Sequence, residues 1–115
     1  MMNDFNEDTF EETMHTDWSY ISHYLILSEK FIEKYSDKLD WAYISIYQTL
    51  SEKFIEKFSD EVDWINISIY QTLSEEFIEK YSDKVYWYYI LQYHAASPQT
   101  KPLKKASHEP LIAKE

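Results

Sequence analysis

The chain of 115 residues contains no cysteine, no glycine and no arginine, and only three prolines. Without cysteine it forms neither disulfides nor thiolate metal sites, and we expect no metal centre. Without glycine it has no Gly-rich phosphate loop and no dinucleotide-binding fingerprint, so we also expect no cofactor. Without arginine it lacks the side chain best suited to bidentate recognition of phosphate or guanine.

Charge and hydropathy restrict the class of protein further. The net charge is −10, which disfavours direct binding to nucleic acid or to an anionic membrane. No apolar run approaches the roughly 20 residues that span a bilayer, and Met1 to Phe10 is acidic, unlike a signal peptide. Hydrophobic residues make up 44 % of the chain, enough for a packed core. We expect a soluble intracellular protein of the cytoplasm.

The four tryptophans reveal an internal repeat, because each lies 23 residues after the one before it. A fixed period of this size is typical of solenoid-type arrays. The second and third units differ at only five of 23 positions. The predicted organisation is an acidic N-terminal extension or cap at 1–16, a helical repeat domain at 17–96 with units 17–39, 40–62, 63–85 and a partial unit 86–96, and a flexible lysine-bearing tail at 97–115.

Each unit is predicted to contain two short helices of about 8–10 residues, too short to be stable alone. The first helix begins after an aspartate and the second after a serine, and both residue types are good N-caps. A hydrophobic residue precedes each of these caps except Asp17, and an isoleucine follows four residues after the cap, which is the spacing of a hydrophobic staple. The predicted caps are Asp17, Asp40 and Asp63 for the first helices and Ser28, Ser51 and Ser74 for the second.

A recurring apolar set predicts the core between stacked units. In the second unit it consists of Trp41, Ile44, Tyr47, Leu50, Phe54, Ile55, Phe58 and Val62, with equivalents 23 residues to either side. The predicted fold is all-α, with tandem helical-hairpin repeats stacked as a short α-solenoid.

The repeat motif Asp-Trp-x-x-Ile-Ser-x-Tyr-Gln-x-Leu-Ser-Glu-x-Phe-Ile-Glu-Lys resembles short repeats in proteins of giant DNA viruses and some phages. The resemblance covers residues 17 to 95. It implies an all-α repeat scaffold and a viral source, and it implies little about activity.

The segments outside the repeats differ in charge. Residues 1–16 carry five acids and no lysine, with disorder expected before residue 8 and a short capping helix after it. In that helix Phe10 and Met14 are predicted to pack under Trp18. The tail carries four lysines against two glutamates. We interpret it as extended, and docking of its apolar residues on the last repeat stays an alternative.

Repeat proteins bind through positions that vary between units, and here the second, third and sixth positions after the aspartate vary. On the predicted helix they lie away from the Trp–Ile–Tyr stripe. Two interpretations stay open: an exposed binding face rich in tyrosine, or a seam between repeats. The candidate partner-binding tyrosines are Tyr20, Tyr43, Tyr88 and Tyr89, and the other variable positions are Ser19, Ala42, Ile65, Asn66, His23, Ile46, Ile69 and Gln92.

Acidic residues also recur at the repeat period. Glu33, Glu56 and Glu79 form one ladder, and Asp37, Asp60 and Asp83 form another. They could imitate a phosphate backbone and bind the basic surface of a partner, but interleaved lysines favour a solvated face instead. We keep Glu33, Glu56 and Glu79 as candidate partner-binding residues.

The partial fourth unit has no second helix to cover it. A terminal repeat usually presents a polar outer face, and this one does not. Self-association as a homodimer through Tyr86, Trp87 and Leu91 is therefore a further hypothesis.

Catalysis is not expected, because the histidines His15, His23, His94 and His108 neither recur between units nor show metal-ligand spacing. The favoured function is a non-enzymatic protein-binding module, a viral or phage effector that binds and inhibits a host protein. That protein would have a basic surface, as a nucleic-acid-handling defence protein such as a CRISPR effector does. The alternative is a self-associating structural or assembly repeat protein.

Overall fold

The computed structural model describes residues 5–94, and every regular element in that range is helical. A single 3-10 turn at Glu7–Thr9 precedes the helices. The expectations about residues 1–4 and about the tail at 97–115 lie outside the described residues. The helices are α1 (Trp18–Tyr24), α2 (Glu29–Lys34), α3 (Trp41–Tyr47), α4 (Glu52–Lys57), α5 (Trp64–Tyr70), α6 (Glu75–Lys80) and α7 (Trp87–Tyr93).

The chain divides into two compact units, Met1–Val62 and Asp63–Glu115. Below, the first unit and the second unit are these two parts of the structure, and the 23-residue segments are called repeats. In the first unit α1 packs on α3, and in the second α5 packs on α7. Each of these pairs joins first helices that are one repeat apart in sequence. The predicted all-α fold of stacked helical-hairpin repeats is confirmed in this form.

The predicted caps begin the helices. Asp17 accepts a hydrogen bond from the Tyr20 backbone N–H, and Ser28 accepts one from the Phe31 N–H. The same bonds recur at the aspartate and the serine of the second and third repeats. The helices have only seven and six residues, so they are shorter than predicted. This length makes most of their terminal backbone groups dependent on partners outside the helix.

Helix α1 ends without glycine, because a side chain from the next repeat binds its last carbonyl groups. Buried Gln48 donates from Nε2 to the backbone carbonyl oxygens of Ser22 (3.2 Å) and Leu25 (2.7 Å). Its Oε1 accepts from the Leu27 backbone N–H at 2.9 Å. Leu25 can then take an extended conformation, with φ −104° and ψ 148°, and lead the chain towards α2. No residue between 5 and 94 has a positive φ.

A buried serine hydroxyl makes the second connection between repeats. Ser22 Oγ donates to the Trp18 carbonyl oxygen at 2.7 Å and accepts from the Asp40 backbone N–H at 2.9 Å. The hydroxyl thereby links the first turn of α1 to the residue that caps α3. A serine in a helix often donates to the carbonyl four residues earlier, and here its oxygen also fixes the start of the next repeat.

The second unit repeats both connections. Ser68 Oγ donates to the Trp64 carbonyl oxygen (2.7 Å) and accepts from the Tyr86 backbone N–H (3.0 Å). His94 stands 46 residues after Gln48, at the glutamine position of the partial unit. Its Nε2 lies 2.8 Å from the Ser68 carbonyl oxygen, as Gln48 Nε2 lies near that of Ser22. An imidazole therefore takes the place of the amide in the last repeat.

Inside each repeat, aromatic rings hold the two helices together. The Trp41 ring stacks on Phe58 with centroids 5.5 Å apart, and its Nε1 donates to the Ser36 carbonyl oxygen. Trp64 stacks on Tyr81 at the same distance. Ile44, Ile55 and their equivalents are fully buried, or nearly so, and form the apolar centre. Burial of such aliphatic side chains contributes about 1.5–3 kcal/mol each.

The N-terminal segment binds the first repeat as a preceding repeat would. Glu7 accepts from the Ser28 backbone N–H (2.7 Å) and from its hydroxyl (2.6 Å). In the next repeat Glu29 accepts from Ser51 in the same way. Glu12 also pairs with Lys38 at 2.9 Å, and its hydrogen bond and charge raise the pKa of the Lys38 ammonium.

The apolar contacts of this segment were predicted in part. Phe10 packs on Trp18 with centroids 5.8 Å apart, as expected, and also on Phe31 at 5.3 Å. The capping helix expected after residue 8 is wrong, because the only regular element before α1 among the described residues is the 3-10 turn at Glu7–Thr9. Met14 is 89 % exposed, so its predicted place under Trp18 is wrong as well. Phe5 takes part instead, since its ring meets Phe31 at 5.5 Å. The expectation of disorder before residue 8 is therefore wrong for residues 5–7.

The bridge made by Gln48 predicts a large effect of removing it. Gln48→Ala should lower the free energy of unfolding by about 2–4 kcal/mol, because two buried carbonyls and one N–H lose their partner. Gln92→Ala, on an exposed position of α7, should change it by less than about 0.5 kcal/mol. Urea unfolding of both variants measures the difference. Equal stability of the two would contradict the role given to the bridge.

The contact of Glu7 predicts a smaller effect at the N-terminus. Glu7→Ala should destabilise the protein by about 1 kcal/mol and speed hydrogen exchange at the Ser28 amide, since a charge-assisted bond to that amide is lost. Glu11→Ala is the matched control, because Glu11 is exposed in the same segment. Amide exchange followed by NMR measures both. Unchanged protection at Ser28 would show that Glu7 does not hold the segment in place.

Candidate interaction surface

The first helices of the repeats carry no charged residue other than a histidine. Helices α1, α3, α5 and α7 contain no aspartate, glutamate or lysine. The second helices have the opposite character, and α2 reads Glu-Lys-Phe-Ile-Glu-Lys. The charge of the described residues is therefore concentrated on the second helices and the turns, while the first helices expose tyrosine and aliphatic side chains.

In the first unit these tyrosines gather around His23. Its ring stacks on Tyr24 (centroids 3.9 Å apart) and on Tyr47 (4.2 Å), and it meets Tyr43 at 4.7 Å. Tyr20 adjoins Tyr24 at 5.0 Å. We call the five residues Tyr20, His23, Tyr24, Tyr43 and Tyr47 the aromatic face. It joins α1 to α3, because His23, the sixth residue of α1, contacts Tyr43 and Tyr47, the third and seventh residues of α3.

The last tyrosine of each first helix was assigned to the core, and this prediction is wrong. Tyr24 is 47 % exposed, and Tyr47, Tyr70 and Tyr93 are exposed as well. The residues buried on α3 include the polar Ser45, and Gln48 directly after the helix is buried too. At ~100° per residue these positions turn the buried stripe away from Tyr47. Counting only apolar residues placed the stripe wrongly, because it left out two buried polar side chains.

The candidate tyrosines differ in exposure. Tyr20 and Tyr88 are exposed, while Tyr43 and Tyr89 are half-buried. Tyr20 and Tyr43 both belong to the aromatic face of the first unit. In the second unit Tyr88 packs edge-on against Tyr89 at 5.1 Å. The sequence identified these residues, and His23 with them, from their variation between repeats, but it did not show that His23 lies at the centre of a cluster.

The residues proposed for self-association do not share one environment. Trp87 is 3 % exposed, and its Nε1 donates to the Ser82 carbonyl oxygen at 3.1 Å. A ring buried to this extent offers little contact area to a second copy. Tyr86 is half-buried, and Leu91 is exposed beside the exposed Tyr88. Within the second unit, the exposed apolar surface of α7 therefore comes from Leu91 and the tyrosines.

The acidic ladder is partly neutralised. Glu33, Glu56 and Glu79 are exposed, and the Glu33 carboxylate lies 2.7 Å from Lys57 Nζ. The same ammonium lies 5.8 Å from the centre of the Phe58 ring. In the first and third repeats a lysine likewise lies over the aromatic ring that follows it in sequence, Lys34 over Tyr35 and Lys80 over Tyr81. The lysines that interleave the glutamates are thus held close to the protein surface.

Two of the histidines and several of the serines in residues 5–94 make structural contacts. His23 is stacked between tyrosines and His94 meets a backbone carbonyl, while Ser22 and Ser68 connect repeats and Ser28 and Ser51 cap helices. In the same range no group of three or more histidine, aspartate or glutamate side chains is arranged to hold a metal ion. No helix of the described part of the chain is long and apolar enough to cross a membrane.

Comparison with known proteins gives no match: no family model, no curated protein and no solved structure is similar to this chain.

The exposure of the last tyrosines predicts that they contribute little to stability. Tyr70→Ala should change the free energy of unfolding by less than about 1 kcal/mol, because the side chain is 56 % exposed. Ile67→Ala, on the same helix but fully buried, should cost about 2–5 kcal/mol. Thermal and urea unfolding compare the two. A loss at Tyr70 as large as that at Ile67 would place this tyrosine in the core after all.

Proposed function

We propose that the protein is a non-enzymatic protein-binding module that contacts its partner through the aromatic face. The observation that carries the proposal is the exposure of Tyr20, Tyr24 and Tyr47 on helices without charged residues. Protein interfaces are depleted of charge at their centres and enriched in tyrosine, which supplies a large contact area with little loss of entropy. The stacked rings of the face are already ordered by one another, which lowers the entropic cost of binding.

The non-enzymatic part of the proposal is supported by the roles of the reactive side chains. A general base needs a histidine or carboxylate within reach of a substrate proton. The His23 ring is stacked on tyrosines on the aromatic face, and His94 is bound at the end of a repeat. Two of the four histidines therefore already have a structural role.

The charge of the chain supports a partner with a basic surface. Residues 5–94 contain 18 acidic residues and 7 lysines. Such an excess attracts basic surfaces over a Debye length of about 8 Å at physiological ionic strength and raises the rate of encounter. Following the viral resemblance of the repeat, the proposal takes the form of an effector that binds and inhibits a host protein, such as one that handles nucleic acid.

Self-association is the second candidate, and the exposed surface of α7 is the observation that favours it. Tyr88, Leu91 and Tyr93 are all exposed on this helix. An isologous contact through such a patch would give a dimer, and a structural or assembly role would follow. In that case Leu91→Glu should abolish the dimer, since it places a charge at the centre of the contact.

Affinity capture from a host lysate treated with nuclease tests the two candidates. The bait is compared with a variant of the aromatic face (Tyr20→Ser, Tyr24→Ser, Tyr47→Ser) and with a matched variant of the acidic ladder (Glu33→Gln, Glu56→Gln, Glu79→Gln). We expect one dominant protein with the unmodified chain, retained with the ladder variant and reduced at least about tenfold with the face variant, because hot-spot residues dominate binding energy.

Other outcomes decide against the proposal. Loss of the partner with the ladder variant alone would assign recognition to the glutamates. Recovery of the bait only, in a multimeric state that Leu91→Glu disrupts, would favour self-association. Circular dichroism of each variant confirms that its helices are intact.

A further inference from the structure

The aromatic face contains a shallow depression of about 310 Å³ in which one carboxylate meets several aromatic rings. Among the side chains that line it, the only one that is negatively charged belongs to Asp17. The others are Ser19, Tyr20, His23, Tyr24 and Tyr43. Aromatic ring faces carry a negative electrostatic potential, and they attract cations within about 6 Å of the ring centre. The depression therefore has the chemistry of a site for a positively charged group.

The helix geometry places the carboxylate and the rings side by side. Asp17, Tyr20 and Tyr24 are three and then four residues apart, so they lie on one side of α1. Asp17 Oδ1 accepts from the Tyr20 backbone N–H at 3.0 Å, which fixes the carboxylate at the edge of the depression. Tyr43 reaches the site from α3 through its contact with His23 at 4.7 Å.

The orientation of the rings favours a flat cation. The planes of His23 and Tyr24 differ by 20°, and those of Tyr20 and Tyr24 by 38°. Rings so close to parallel form a stepped surface and do not enclose a volume, as a cage around a rounded ammonium would. A guanidinium is planar, stacks on aromatic faces and is more weakly hydrated than an ammonium. It can also pair with a carboxylate through two parallel N–H bonds.

We propose that this depression binds an arginine side chain of the partner protein, with the guanidinium stacked on Tyr20 and Tyr24 and paired with Asp17. The proposal rests on the function proposed above and names the chemical group that the aromatic face recognises. The sequence contains no arginine, so neither this chain nor a second copy of it supplies the group.

In the third repeat the equivalent positions do not form such a site. Asn66 stands where Tyr20 stands in the first repeat, and its Nδ2 donates to Asp63 Oδ2 at 3.1 Å. A ring face is thereby replaced by an amide, and the carboxylate is bound internally. In the partial fourth unit a tyrosine, Tyr86, takes the place of the aspartate. The third repeat thus lacks the first ring and the partial fourth unit lacks the carboxylate. The second repeat keeps Asp40, Tyr43 and Tyr47 but has Ile46 where His23 stands, so the carboxylate, both tyrosines and the histidine occur together in the first repeat.

NMR titration of the full chain with N-acetyl-arginine amide tests the proposal. We expect saturable shifts of the Tyr20, His23 and Tyr24 ring resonances at millimolar ligand. The matching lysine derivative should bind at least about threefold more weakly, because its ammonium is more strongly hydrated. The citrulline derivative, a neutral molecule of nearly the same shape, should give no saturable shift.

Two variants separate the parts of the site. Asp17→Asn keeps an N-cap, since asparagine caps as well as aspartate, but removes the charge; it should weaken arginine binding about three- to fivefold. Tyr20→Asn copies the third repeat and should abolish binding. Tyr70→Ser, an exposed tyrosine of the second unit, is the matched control and should leave the affinity unchanged.

The proposal is overturned if arginine and citrulline give the same shifts, if the lysine derivative binds as tightly as arginine, or if Asp17→Asn has no effect. Capture of the partner that still depends on the aromatic face would then leave the protein-binding function in place without arginine recognition. If arginine recognition fails and capture of the partner does not depend on the aromatic face either, the proposed function is overturned as well.

Discussion

A helix of six or seven residues closes very few hydrogen bonds within itself, so the ends of such helices must be completed by neighbouring segments. In this chain Gln48 and Ser22 supply that completion. The glutamine binds the last carbonyl groups of α1, and the serine hydroxyl binds the N–H that starts the next repeat. Both side chains are buried, so their hydrogen bonds are costly to break. The stacking of α1 on α3, and with it the position of the exposed Tyr20, Tyr24 and Tyr47, depends on these bonds.

The same arrangement explains why charge and aromatic surface are separated. The stacked first helices bring His23 against Tyr43 and Tyr47, and a charged side chain among these closely spaced rings would lose hydration. The second helices lie in a different environment, where Glu33 and Lys57 pair across successive repeats at the surface. One repeat therefore provides a neutral contact surface and a charged, solvated surface from two helices of almost equal length. This division is the reason why our proposal assigns binding to the neutral surface.

Much of the fold could be predicted from the sequence, because caps and hydrophobic staples are local. The starts of α1 and α2 follow from Asp17 and Ser28, whose side chains need only reach backbone groups two or three residues ahead. The ends of the helices could not be predicted in this way, since Gln48 acts on carbonyls 23 and 26 residues away. The candidate site could likewise be predicted only in part, because it also depends on contacts between residues far apart in sequence. Variation between repeats pointed to Tyr20 and Tyr43, but the exposure of Tyr24 and Tyr47 depends on the burial of polar residues, which hydropathy alone does not reveal.

The paired use of serine and glutamine bears on how such a chain can change in length during evolution. The second and third 23-residue repeats each carry a serine at the position of Ser22 and a glutamine at the position of Gln48. In the structure, Ser22 binds the repeat after it and Gln48 binds the repeat before it. A genetic duplication of one whole repeat adds both members in register and leaves no buried polar group unmatched. An insertion of any other length separates them. The near identity of the second and third repeats, at all but five positions, is the trace that such whole-repeat duplication leaves. Of the five differences, 42/65 and 43/66 lie on the first helices and the other three lie on the second helices or the turns after them. None falls on the serine or the glutamine that connects the repeats, so each changes the surface or the packing without removing a connection.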